Sequence, residues 1–259
     1  MDILQKIVAA KRHRLIEARK VRPLAVVERE VAKARKVRDF ASSLHETQQK
    51  FAIIAELKKA SPSAGVIRAD FPVETLAVEL EKNGAAALSV LCEEDFFHGS
   101  VNNLKIASSV VDIPCLCKDF IFDPYQVVEA RAAGADAILL IAALLKDNEL
   151  KSLAGLAREL GMQILAEAYT REELSRLLDC GMTMIGINSR CLQNFSTDLD
   201  ACAALLKEIP SNVFAVGASA MKTSEDLQKL KNSGAGAFLI GSVLMKSVDP
   251  GKKLRELLA

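Results

Sequence analysis

Polar residues close several apolar runs of this chain, and their types suit proton transfer. Glu56 ends FAIIAE with Lys58 two residues on, Lys118 ends IPCLCK, Glu167 lies in QILAEA, and Asn188 ends TMIGIN. Alone, each reads as a polar group meeting solvent where a strand stops. Gathered at one mouth, carboxylates hold lysines protonated while burial opposes it, and an ammonium beside carboxylates is a general acid–base set. A lysine so placed can instead form a Schiff base with a carbonyl substrate, as in barrel aldolases, and that chemistry stays open.

Two further segments read as an anion site. GASAMKTSEDL carries Ser219 and Ala220, and IGSVLMKS carries Gly241 and Ser242, where backbone N–H groups and a short helix start can hold phosphate. Lys58 and Arg190 supply positive charge to the same group, and Ser61 of KKASPSAG joins the candidates from a segment that reads as a mobile loop. Ordinary glycine turns are the competing explanation. Phe96, Phe97 and Phe120 suggest a partly aromatic substrate, or simply packing against N-terminal helices.

Other chemistries find little support. His13, His45 and His98 show no metal-binding spacing, no GxSxG elbow surrounds a serine, and the six cysteines form no CxxC pair. Cys115 and Cys117 fall on one face of a strand, as core residues do. A net charge of +1 gives no broad field for nucleic acid or an anionic membrane. The N-terminal segment alternates charge with apolar residues, unlike a signal peptide, and no apolar run is long enough to cross a membrane, so the default expectation is a cytoplasmic protein.

These residues require elements to position them. After about residue 50, short β-branched apolar runs alternate with amphipathic stretches such as PVETLAVELEKNGA, DPYQVVEARAAGAD, DNELKSLAGLARELGM, TREELSRLLDCGM and TSEDLQKLKNSGA. Besides the four runs named above, AALSVL, AILLIA, NVFAVG and AFLIGS complete a set of eight. Eight βα units predict an α/β fold, a (β/α)8 TIM barrel, formed as one domain by residues 1–259. Residues 1–48 precede the first run and read as a helical extension, with helices near 2–20, 23–34 and 36–46 lying against one end of the barrel. The uninterrupted single barrel and 5% aromatic content fit a monomer.

Taken in order, IIAELKKASPSAG, ALSVLCEEDFFHGS, IPCLCKDFIFDPYQVVEARAAGADAILLI, LAEAYTREEL, IGINSRCLQNFSTDL and FLIGSVLM closely resemble indole-3-glycerol phosphate synthase of tryptophan biosynthesis, over nearly the whole chain. The resemblance implies closure of the indole ring of 1-(2-carboxyphenylamino)-1-deoxyribulose 5-phosphate with loss of carbon dioxide and water, without cofactor or metal. It implies Lys118 as general acid, Glu56 orienting it, Glu167 serving later proton transfers, Lys58 as a second active-site lysine and Asn188 holding substrate and catalytic groups. By the same resemblance Arg190, Ser219, Ala220, Gly241 and Ser242 lie at phosphate-binding positions, and Phe97, Phe120, Leu139 and Leu192 line the wall for the anthranilate ring. The N-terminal helices resemble extra helices that partly cap the family's active site.

One sector departs from the family pattern. Where a (V/A)-(S/A)-E-S-G-(I/V) segment is expected, Val216 to Met221 read VGASAM, so Ala218 replaces a glutamate and Ala220 a glycine. A methyl group at Ala220 crowds a backbone that must approach phosphate and makes a left-handed conformation costly. Cys92, Cys117 and Cys191 also replace polar or larger residues of nearby motifs. The expectation is a ring-closing enzyme of reduced rate. The alternatives are an aldolase-like lysine enzyme and a barrel, diverged or engineered, that keeps phosphate binding with catalysis weakened.

Overall fold

The computed structural model describes residues 3–190 and 196–259. Three helices come first: α1 (Ile3–Val21), α2 (Leu24–Val31) and α3 (Phe40–His45). Eight parallel strands follow: β1 (Ala52–Leu57), β2 (Ala87–Leu91), β3 (Cys115–Lys118), β4 (Ala137–Ile141), β5 (Gln163–Ala168), β6 (Met184–Asn188), β7 (Phe214–Ala218) and β8 (Ala237–Ile240). They close a barrel in sequential order, β1 pairing with β2 on one side and β8 on the other, which is the (β/α)8 architecture expected from the apolar runs. Outside it lie α4 (Val73–Lys82), α5 (Val101–Val110), α6 (Pro124–Ala132), α7 (Asp147–Glu159), α8 (Arg171–Asp179), α9 (Leu199–Leu206), α10 (Ser224–Lys231), α11 (Ser242–Met245) and α12 (Pro250–Leu258).

Local chemistry sets the helix ends. Asp123 accepts from the Tyr125 N–H with Pro124 opening α6, while Thr170 with Glu173 and Thr223 with Asp226 form capping boxes at α8 and α10. Gly84 and Gly134, at φ 98° and 91°, take the left-handed turn that releases the chain from α4 and α6 toward the next strand.

Strand periodicity sorts residues between two cores. Ile53, Ala55 and Leu57 of β1, Cys115 and Cys117 of β3 and Ile138 and Leu140 of β4 face the helices. Ala52 and Ile54, Leu116, Ala137 and Leu139, Leu165, Val216, and Ala237 and Leu239 fill the barrel interior. Glu56, Lys118, Glu167, Asn188 and Gly241 share the inward parity, so the alternation that packs the core also aims them at its carboxyl-end mouth.

The N-terminal helices meet both ends of the barrel, not one. α1 lies beside the loops after β2 and β3, where Lys11 pairs with Glu94 and Asp119, and Arg14 with Asp95. α2 runs against α6 through Val27, Tyr125 and Val128. α3 sits at the amino end, where Ala41 N–H donates to Gln163 Oε1 at 2.7 Å and the His45 ring packs tilted against Phe214, with centroids 4.4 Å apart. The third helix starts at Phe40 instead of residue 36 because Arg35 and the Arg38 N–H anchor an extended stretch on buried Asp136, and Asp39 then caps α3.

KKASPSAG, expected as a loop, carries a two-residue antiparallel pairing of Ala60 with Val66 and Ser61 with Gly65. Among the described residues, no helix is long and apolar enough to cross a membrane.

Candidate active site

At the carboxyl end of the barrel, β3, β5 and β6 deliver a hydrogen-bonded triad. Lys118 Nζ donates to Glu167 Oε2 at 2.9 Å, and Asn188 Nδ2 donates to Glu167 Oε1 at 3.1 Å. Asn188 Oδ1 in turn accepts from the Arg190 N–H at 3.0 Å, which fixes the amide's orientation. Burial works to lower the pKa of Lys118, but the carboxylates of Glu167 and Glu56 outweigh it and hold the amine above the ordinary lysine range. The group is therefore an ammonium with a carboxylate at hydrogen-bond distance.

Glu56 does not orient Lys118 by direct contact. It hydrogen-bonds Lys58, two residues along the same face of the chain, and reaches Lys118 only through its field. Gly241 makes room for it: a Cβ there would run into the Glu56 carboxylate and lie 2.9 Å from Glu56 Cβ.

Two contiguous lobes share Glu56, Lys58, Ser61, Ser63, Arg190, Ser219 and Ser242. One adds Lys118, Glu167 and Asn188 with an apolar wall of Phe97, Phe120, Leu139 and Ile141. The other is polar and cationic, adding Ala220, Lys222, Gly241 and Lys246. The candidate residues among those described thus meet at one place, while Leu192 and Cys191 lie outside the described residues.

Several contributors were missed in the sequence. Glu93, fully buried, accepts from the N–H groups of Asp95, Phe96 and Phe97 at 3.0, 2.8 and 3.0 Å and so shapes the loop that presents Phe97. Burial raises its pKa against those hydrogen bonds. The EEDFF pattern is a signal for it, an acid just before the backbone it can cap. Lys246 stands one helical turn beyond Ser242, a spacing that was readable. Ser189, 1% exposed, had no signal beyond its place between Asn188 and Arg190.

The phenylalanines divide the two readings of their role. All three pack with the interior cluster that includes Ile7 of α1, but only Phe97 and Phe120, with ring centroids 6.0 Å apart, also line the cavity. Ser219 and Ala220 are left-handed, at φ 67° and 62°. Cys92, Cys115, Cys117, Cys180 and Cys202 are free thiols.

Comparison with known proteins decides the lineage. The family model described as Indole-3-glycerol phosphate synthase matches residues 4–257. The chain belongs to the indole-3-glycerol phosphate synthase family. It is 49% identical over 222 residues to a synthase of that name from Koribacter versatilis, covering 85% of each chain. It is 43% identical over 258 residues to one from a Polaromonas species, covering 99% of this chain and 98% of that one. The family makes the chain a carboxy-lyase of tryptophan biosynthesis. More distant solved structures share the fold alone: 3-hexulose-6-phosphate synthase from Salmonella typhimurium, at a TM-score of 0.63 and 15% identity, covers 80% of this chain and 96% of its own. Thiamine phosphate pyrophosphorylase from Pyrococcus furiosus gives 0.59 and 16%, covering 80% of this chain and 93% of its own.

Proposed function

We propose that this member of the family closes the indole ring by proton transfer between Lys118 and Glu167, with the substrate laid across the two lobes. The observation that carries this is the Lys118–Glu167 contact of 2.9 Å beside an apolar wall and next to a cationic lobe. The anthranilate ring lies on Phe97, Phe120 and Leu139. The phosphate lies by Ser219, Ala220, Gly241 and Ser242, with Lys58 and Arg190 adding charge. As the ring carbon bearing the carboxylate attacks the ribulose carbonyl, the Lys118 ammonium gives its proton to the carbonyl oxygen. Loss of carbon dioxide restores the aromatic ring, and proton transfers through Glu167 complete the dehydration: the new hydroxyl takes up a proton and leaves as water, while the neighbouring CH2 bonded to nitrogen gives up a proton and its electron pair becomes the C=C bond of the indole. Asn188 keeps Glu167 aimed at Lys118. In this reading the enzyme works as a cytoplasmic monomer and needs no cofactor.

The raised pKa of Lys118 favours this chemistry over a Schiff base, because a protonated amine is a poor nucleophile. Ala218 pairs in register with Asn188 and is buried in the interior cluster, so the methyl group stands beside the triad where the family pattern has a carboxylate. Loss of one preorganised polar group costs roughly 10²–10³ in rate where it acts on developing charge. Indole formation from the carboxyphenylamino substrate is therefore expected at a reduced kcat, with Ala218→Glu raising it. Fluorescence assays of the purified protein decide the matter: product no faster than from a Lys118→Ala variant would sink the proposal.

A further inference from the structure

Two adjacent non-glycine residues in the left-handed region, Ser219 and Ala220, need something to hold them there, since each pays a steric penalty in that conformation. The surrounding contacts converge on one side chain. Ser189 follows β6 and is 1% exposed. Its N–H donates to Ala218 O at 2.9 Å, its Oγ lies 2.7 Å from Ala218 O and 2.8 Å from Ser219 O, and its own carbonyl accepts from the Asp198 N–H at 2.8 Å.

We propose that Ser189 is a positioning residue for phosphate binding: its buried hydroxyl holds the Ala218 and Ser219 carbonyls toward β6 and so keeps the Ser219–Ala220 turn left-handed, with the Ala220 N–H directed away from β6. The argument is geometric. Two carbonyl oxygens that converge repel each other unless a donor lies between them, and a hydroxyl with a single proton is shared between the two or alternates. A trans peptide sets its N–H opposite its C=O, so fixing Ser219 O toward Ser189 turns the Ala220 N–H the other way. Ala220 lines the cationic lobe, and its N–H has no hydrogen-bond partner among the described residues. The Ser219 N–H is already engaged with Leu239 O at 3.3 Å, and Ser219 O also accepts from the Met221 N–H at 2.9 Å, so the turn is tied to β8 on its other side. Without the Ser189 hydroxyl the carbonyls diverge, the turn relaxes, and the phosphate loses an aimed amide while Lys118, Glu167 and Asn188 stay in place.

The inference rests on the phosphate lobe of the proposed function, and two readouts separate their failures. In Ser189→Ala, KM for the carboxyphenylamino substrate and the dissociation constant of inorganic phosphate measured by calorimetry are expected to rise together by about tenfold, the worth of one hydrogen bond, while kcat changes by much less. Adding Ala220→Gly, which accepts a left-handed backbone without a brace, is expected to recover most of both losses. Ser189→Cys keeps the shape and supplies a weaker donor, and is expected to shift both constants in the same direction by less. Phosphate affinity that is the same in the parent and either Ser189 variant, or absent in the parent, would overturn the inference. A loss confined to kcat, with KM unchanged, would do so as well. Phosphate binding that weakens in the variants of a parent without turnover would support the inference and sink only the synthase mechanism.

Discussion

Glu167 has both carboxylate oxygens engaged, one by the Lys118 ammonium and one by the Asn188 amide, and that sharing has a pH signature. Lys118 is held above the ordinary lysine range because Glu167 and Glu56 outweigh burial, so the acid stays protonated through neutral and mildly alkaline pH. Glu167→Gln removes the larger of the two attractions and leaves the burial. The alkaline limb of kcat is then expected to move to lower pH, with kcat itself falling by about 10²–10⁴. A pH–rate series of parent and variant checks it, and an alkaline limb that stays put contradicts the pairing. Gly241 offers a steric test of the same site. Its φ is not left-handed, so what an added Cβ meets is the Glu56 carboxylate itself. Gly241→Ala is expected to displace Glu56 and lower kcat by about 10², the cost of a misplaced catalytic group, as read by steady-state turnover.

At the scale of elements, the most deeply buried of the ion pairs that peg α1 to the catalytic face is made by Lys11. Lys11, 6% exposed, lies 2.9 Å from Glu94 Oε2 and 2.6 Å from Asp119 Oδ2, the residue after Lys118. Burial alone would depress the pKa of Lys11, yet Asp119 and Glu94 raise it instead. A lysine raised in the folded state contributes stability that is complete below its unfolded pKa and is lost only as pH climbs through the folded one, so the contribution is whole at pH 7. Lys11→Met leaves Asp119 buried without its cation and is expected to destabilise the fold by about 3–5 kcal/mol, measured by urea unfolding at neutral pH. The elements themselves were unequally legible. Strands showed plainly because a wall covered on both faces must be apolar along its length, and a capping box announces α8 and α10. The bounds of α3 did not show, because residues 35–38 are held extended by Asp136, about a hundred positions away.

For the whole molecule, site legibility followed the barrel's symmetry. Glu56, Lys118, Glu167 and Asn188 could be read because each stands on the inward stripe at a strand's carboxyl end, a place the fold alone designates. Ser189 acts through turn geometry that no period encodes, Glu93 and Lys246 left only short local spacings as signals, and Glu56's choice of Lys58 over Lys118 is a side-chain decision taken only once the strands are in place. The isolated barrel is expected to sediment as a 28.0 kDa monomer. Analytical ultracentrifugation at micromolar concentration tests this, and a stable dimer would contradict it.

The helices before β1 touch the barrel at both ends, through Lys11 to Asp119 above and through Ala41 to Gln163 and His45 to Phe214 below. On a ribosome this segment emerges ahead of the barrel, yet its lower docking sites arrive more than a hundred residues later. Docking of α3 is therefore complete only once β5 and β7 have been made. Closure of the extension at the barrel floor thus follows the later strands, whereas α1 and α2 find their partners around Glu94, Asp119 and Tyr125 earlier in the chain.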